Sequence, residues 1–145
     1  MALLLDTNVL IALADEQHVH HHKANVFFQK ACKQGWATCP MVESGFLRIF
    51  GHPNYPGGPG SPEQSRMLLQ EYRAAPGHQF WPDSLSPCEP SHFPKLSTSK
   101  HLTDFYLLAL AIDHGGNLAT FDRRIDPSLL PGGAAAYRVI GENEK

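Results

Sequence analysis

Four carboxylates in this 145-residue chain stand at or near the ends of apolar segments. Asp6 follows Leu3-Leu4-Leu5, and Glu43 sits in the first turn of a segment opened by Pro40. Asp104 precedes the apolar run Phe105 to Ile112, and Asp122 follows Asn117-Leu118-Ala119-Thr120. In open parallel sheets, ligand sites lie beyond the carboxyl ends of the strands, so acids placed there can converge on one point. Carboxylates that share a small volume repel and raise one another's pKa. A hard divalent cation with oxygen ligands, Mg2+ or Mn2+, resolves that conflict. Such a cation with open positions suits phosphodiester hydrolysis: it activates water, orients the phosphate and stabilises the leaving oxygen.

Each acid taken alone also has a plain structural reading. Asp104 and Glu43, in first turns of helices, complement the helix dipole. Asp122, beside Arg123 and Arg124, is a turn residue. Asp6 is harder to explain in this way, because it ends an apolar strand and a helix follows at once. Asp113 lies nine positions after Asp104, which at 100° per residue places it on the opposite helix face.

The elements that must position these acids are legible from periodicity. Leu3 to Leu5 has the short apolar pattern of a buried parallel strand. Asn8 to Ala14 reads as a helix capped by Thr7 or Asn8. His18 to Gln34 reads as a second helix stopped by Gly35. Trp36 to Cys39 is a strand, and Pro40 opens a helix with a Val42, Phe46, Ile49, Phe50 stripe. Gly51 to Pro62, with four Pro and four Gly, is a loop of unusual length for a small domain and therefore functional or mobile. Ser61 with Gln64 resembles a capping box opening a helix to about Ala75. Gln79 to Trp81 is a third strand, and Pro82 to Ser99 is irregular with one helical turn. Thr103 caps a helix from Asp104 to about His114, ended by Gly115-Gly116 and apolar all round, hence buried. Asn117 to Thr120 and Tyr137 to Ile140 complete the strands. Alternating strands and helices predict an α/β layer fold with a mostly parallel sheet.

Composition narrows the classes. The chain is 42% hydrophobic and 18% charged with a formal net charge of −2, which fits one globular domain over residues 1–145 and disfavours a generic polyanion binder. Were nucleic acid the substrate, its phosphates would need a local patch or a bound cation. Cys32, Cys39 and Cys88 are odd in number and lack CxxC spacing, so neither a disulfide framework nor a zinc knuckle is expected. The apolar opening lacks a basic flank and is broken by Asp6, unlike a signal peptide. No segment approaches the roughly 20 apolar residues of a membrane span. A cytoplasmic protein is expected.

Taken together, the motifs resemble the PIN-domain ribonucleases, in particular VapC-type toxins of toxin–antitoxin pairs. The resemblance is carried by Leu4-Leu5-Asp6-Thr7-Asn8-Val9-Leu10, Cys39-Pro40-Met41-Val42-Glu43-Ser44-Gly45-Phe46-Leu47-Arg48, Leu102-Thr103-Asp104-Phe105-Tyr106-Leu107-Leu108-Ala109-Leu110-Ala111 and Leu118-Ala119-Thr120-Phe121-Asp122. It runs from the first strand to the last and is weakest in the Gly/Pro loop and Pro82 to Ser99. It implies a three-layer α/β/α sandwich and a Mg2+- or Mn2+-dependent endoribonuclease. The catalytic residues it implies are Asp6, Glu43, Asp104 and Asp122. Asp6, Asp104 and Asp122 would ligate the metal, with Glu43 acting directly or through water, and Thr7, Asn8 and Thr120 would support the site. It further implies hydrolysis leaving a 5′-phosphate and a 3′-hydroxyl, a cognate VapB-type antitoxin and a homodimer.

Other residues carry secondary candidacies. Arg48, Lys100 and Arg123, together with His101 and Arg124, are the basic groups nearest the acids in sequence and are candidates for RNA phosphates. Tyr55 and Trp81 could stack on unpaired bases, although Trp81 suits a core better. His18, His20, His21 and His22 invite a zinc site but lack a further ligand pattern, so a solvated helix start is expected. A haloacid-dehalogenase-like phosphatase would need an acid where Asn8 stands, and a receiver domain an early acidic pair. The alternative to the nuclease is a catalytically silent PIN-like module that binds RNA or protein, against which the full set of acids argues.

Overall fold

The computed structural model describes residues 1–96 and 99–141. Ser97 and Thr98, within the expected irregular stretch, and residues 142–145 lie outside the described residues.

Five short strands form one all-parallel sheet in the order β3-β2-β1-β4-β5. These are β1 (Leu3–Leu5), β2 (Trp36–Thr38), β3 (His78–Phe80), β4 (Asn117–Thr120) and β5 (Tyr137–Val139). The first strand is central, paired on one side through Leu3↔Trp36 and on the other through Leu4↔Leu118. β1, β2 and most of β4 are buried, as near-continuous apolar strands covered on both faces must be.

The helices are α1 (Thr7–Ala14), α2 (His21–Gln34), α3 (Pro40–Phe50), α4 (Pro62–Arg73), α5 (Leu102–Asp113) and α6 (Gly133–Ala136). α1 packs on α2 and α3, and α3 on α4, whereas α5 packs on α6. Crossovers between parallel strands are right-handed. Moving from β1 out to β3 and then back past β1 to β4 and β5 therefore puts α1–α4 on one face and α5–α6 on the other. This is the expected α/β/α sandwich. The chain reverses direction across the sheet between β1 and β4, which opens a crevice at their carboxyl ends.

The core is continuous across both layers. Leu4, Leu5, Leu10, Trp36, Phe46, Leu108, Leu110 and Leu118 are fully or almost fully buried. α5 is enclosed from Phe105 to Ala111, while Asp113 is exposed on the far side from the site. Trp81 is buried and stacks on His114, so it is a core residue.

Several boundaries differ from the sequence reading, each for a local reason. α1 begins at Thr7, and its cap is Asp6, whose extended backbone lets Oδ1 accept from the Thr7 N–H at 2.7 Å. Thr7 and Asn8 are inside the helix and use their side chains elsewhere. α2 begins at His21, because residues 15–20 form turns: the Gln17 N–H donates to Asp15 Oδ1 and the His20 N–H to His18 Nδ1. α5 begins at Leu102, so Thr103 is within its first turn and is not the cap. Ser61 does accept from the Gln64 N–H at 3.2 Å, and α4 follows as expected. Pro82–Leu96 has turns but no helix.

The Gly/Pro loop is fastened. The Tyr55 hydroxyl donates to Asp15 at 2.6 Å and its ring packs edge-on against Phe50. Tyr55 is thereby committed to the protein. Histidines of the 18–22 segment are likewise absorbed locally: His21 Nδ1 lies 2.8 Å from the Ala12 carbonyl, and His20 stacks on Phe121.

Candidate functional site

The crevice between β1 and β4 gathers three of the four acids. Asp6 leaves the end of β1, Asp122 follows β4, and Asp104 projects from the first turn of α5. Asp104 and Asp122, with His101, each offer a ligand atom within 4.8 Å of the others. The charges of Asp104 and Asp122 both act on Asp6.

Asp6 is 6% exposed and is the buried centre of the group. Burial, first, and the charges of Asp104 and Asp122 push its carboxyl up to about 6, against hydrogen bonds from Thr120 and Thr7 that pull it down. Asp104 is also pushed up, by burial before the charge of Asp122, while His101 opposes the shift. Asp122 moves the other way, because Arg124 donates to it. That pair is close, Nε–Oδ1 3.0 Å and NH2–Oδ2 3.1 Å, but the arginine is largely exposed, so its contribution to stability is small.

Thr120 organises the floor. Its hydroxyl donates to Asp6 Oδ2 at 2.9 Å and accepts from Asn8 Nδ2 and from the Asp122 N–H, each at 3.0 Å. One donor and two acceptor lone pairs are all a hydroxyl has, so it is saturated. Asn8 completes the link by accepting from the Phe121 N–H, tying α1 to the segment after β4. Thr7 donates to the Val42 carbonyl at 3.2 Å, tying α1 to α3. Gly45 makes that approach feasible: a Cβ there would stand 2.7 Å from Thr7 Oγ1.

Glu43 is not in the close group. Its Oε2 accepts from the Thr38 hydroxyl at 2.7 Å and lies 3.4 Å from Arg73. Because the Thr38 proton is directed to the carboxylate, His78 Nε2, 2.8 Å from the same hydroxyl oxygen, is its N–H donor.

A cavity of about 550 Å³ opens over Asp6 and is walled by Thr7, Ser44, Gly45, Arg48, Asp83 and Thr103 among others. Arg48 therefore shares this cavity with Asp6. Lys100 and Arg123 are exposed beside the segments that carry Asp104 and Asp122, outside the walls of this cavity. Two features escape a reading by motif. Asp83 reaches the cavity wall from an irregular segment with no local signal. His101 stands against Asp104, and its signal was present, since the residue just before a helix lies close to the third residue of its first turn.

The donors fit a divalent cation: three carboxylates gather, and Asp6 is raised in pKa by burial first and then by the charges of Asp104 and Asp122, a repulsion that a cation relieves. Among the described residues no helix is long and apolar enough to cross a membrane.

The PIN domain family model matches residues 3–127. Ribonuclease VapC44 of Mycobacterium tuberculosis is 37% identical over 134 residues, covering 91% of this chain and 94% of the relative. Ribonuclease VapC39 of the same species is also 37% identical over 134 residues, covering 91% and 96%. Ribonuclease VapC38 is 38% identical over 120 residues, covering 82% and 84%. The crystal structure of VapBC2 from Rickettsia felis bound to a DNA fragment from their promoter superposes with a TM-score of 0.56 at 13% identity, covering 84% of this chain and 89% of that one. At that identity the likeness is one of fold.

Proposed function

The chain belongs to the PIN-domain family, and from that premise we propose that it is a metal-dependent endoribonuclease, the toxin of a toxin–antitoxin pair. The observation that carries the chemistry is the pairing of Asp104 with Asp122 at ligand distance beside the buried Asp6, whose carboxyl feels both charges, at the switch point of the sheet. Asp6, Asp104 and Asp122 would hold Mg2+ or Mn2+, which when bound supplies charge neutralisation at the phosphate and a more acidic water.

The chain's own residues do the positioning. Thr120 holds Asp6 in its ionised form by donating to it, and Asn8 holds Thr120. Thr7 and Gly45 set α3 close to α1, which brings Ser44 and Arg48 to the cavity. Arg48 binds a phosphate of the RNA strand, and Lys100 and Arg123 bind phosphates farther out. Glu43 is the fourth acid of the set, aligned by Thr38 and Arg73 at the start of α3. The products carry a 5′-phosphate and a 3′-hydroxyl. The protein acts in the cytoplasm as a homodimer and is neutralised by a VapB-type antitoxin; relatives named as VapC ribonucleases and a fold neighbour from a VapBC pair support the antitoxin.

The test is cleavage of total RNA by the antitoxin-free protein with Mg2+ or Mn2+, with EDTA, and with an Asp104→Asn control. Discrete fragments that vanish with EDTA and in the variant are expected. Cleavage that persists in EDTA would overturn the mechanism.

A further inference from the structure

His101 stands at the N-terminal end of α5, one turn ahead of Asp104, and its Nδ1 is 3.3 Å from Asp104 Oδ2. With Asp122 the two residues form the one group of three His, Cys, Asp or Glu, among the described residues, whose ligand atoms all lie within 4.8 Å of one another. The imidazole is as enclosed as the carboxylate beside it, 15% against 21% side-chain exposure. It makes no capping hydrogen bond, so the helix does not need it for that purpose. Ligands at about 2.0–2.2 Å from a shared ion stand about 3 Å apart when adjacent, close to the spacing seen here.

We propose that His101 is itself a ligand of the cation, adding one nitrogen donor to the carboxylates, and that this donor makes the site prefer Mn2+ over Mg2+. Mg2+ takes oxygen ligands and gives up its waters reluctantly. Imidazole nitrogen favours first-row transition ions, while carboxylates serve both kinds. A histidine that merely held Asp104 would assist both ions alike, so selectivity separates the two roles. The inference rests on the nuclease reading only for where the cation acts.

The experiment uses the full chain stripped of metal, with Mn2+ and Mg2+ affinities from calorimetry and pulsed electron paramagnetic resonance of bound Mn2+. In the unsubstituted protein, Mn2+ is expected to show coupling to a histidine 14N. His101→Ala should abolish that coupling and weaken Mn2+ by at least about 10–100-fold, the range already set by losing a mere supporting partner, while Mg2+ is weakened clearly less. His101→Asn, which retains a hydrogen-bond partner for Asp104, should lose the coupling and the selectivity while its circular dichroism is unchanged. Equal losses for both ions, or no nitrogen coupling in the unsubstituted protein, would overturn the proposal. Nitrogen coupling without RNA cleavage would uphold it and defeat the nuclease reading; cleavage without coupling does the reverse.

Discussion

The Thr120 hydroxyl lies 2.9 Å from Oδ2 of Asp6 and gives that carboxylate its single proton. Both oxygen lone pairs of Thr120 are already occupied by Asn8 and the Asp122 backbone, so the residue can serve Asp6 only as a donor. A donor favours the ionised carboxylate, the form able to bind a cation, in a setting where burial favours the neutral one. Thr120→Val keeps the shape and removes the hydroxyl. It should destabilise the fold by about 1–3 kcal/mol through unpaired buried groups and drive the Asp6 pKa above its present value of about 6. Carboxyl 13C titration would show the rise, and Thr120→Ser should reverse it.

The raised Asp6 pKa also predicts the pH dependence of the metal-free protein. A folded-state pKa above the unfolded one contributes stability that is fully present below the ordinary value of 3.8 and is lost as the pH rises through about 6. The loss is on the order of 3 kcal/mol. Asp104 shifts in the same direction and Asp122 in the opposite one, so the measurement is a difference. Stability of the unsubstituted chain minus that of Asp6→Asn, by urea unfolding in EDTA, should fall between pH 3.5 and 7. A flat difference would remove Asp6 from the electrostatic account.

Asp104→Asn and Asp122→Asn should each reduce RNA cleavage by more than about 100-fold, beyond what losing a supporting partner of a metal costs. Relief of the burial penalty at Asp104 should leave the melting temperature of that variant unchanged or higher. A variant with near-normal cleavage would exclude that residue from the mechanism.

Gly45→Ala places a methyl 2.7 Å from Thr7 Oγ1, below any relaxed contact. Thr7 is β-branched and bonded to Val42, so α3 must move outward, at a cost of about 1–3 kcal/mol. Lower thermal stability together with weaker metal binding is the expected pair of results. Unchanged values for both would show that the α1–α3 approach has no part in shaping the site.

Arg48→Ala tests the cavity as an RNA groove. KM should rise with kcat little changed, and the slope of log affinity against log salt should decrease by about one, as for a lost phosphate contact. An unaltered salt slope would place the RNA elsewhere.

Much of the architecture was written in local patterns. The run Leu3 to Leu5, the glycine after Gln34, Pro40 at a helix start and the apolar α5 each act through neighbours in sequence, so the alternation of strand and helix and the positions of Asp6, Asp104 and Asp122 at element ends followed from the chain alone. Cap identities were less legible. Asp6, Thr7 and Asn8 are all good cap residues, and the choice of Asp6 depended on Asn8 finding Thr120 and Phe121 at more than a hundred residues' separation. The length of the histidine-rich helix was also less legible, for a local reason: side-chain turns at Asp15 and His18 cut it short.

What only the tertiary structure decided is who meets whom. Strand order β3-β2-β1-β4-β5 puts β1 beside β4, and this joins Asp6 to Asp122; no spacing in the sequence specifies it. The fold also brought His101 into the acidic group and directed Glu43 to Thr38 and Arg73. The types and local placement of the acids are properties of short segments, whereas the balance of repulsion, burial and hydrogen bonding among them arises only when distant segments share one crevice.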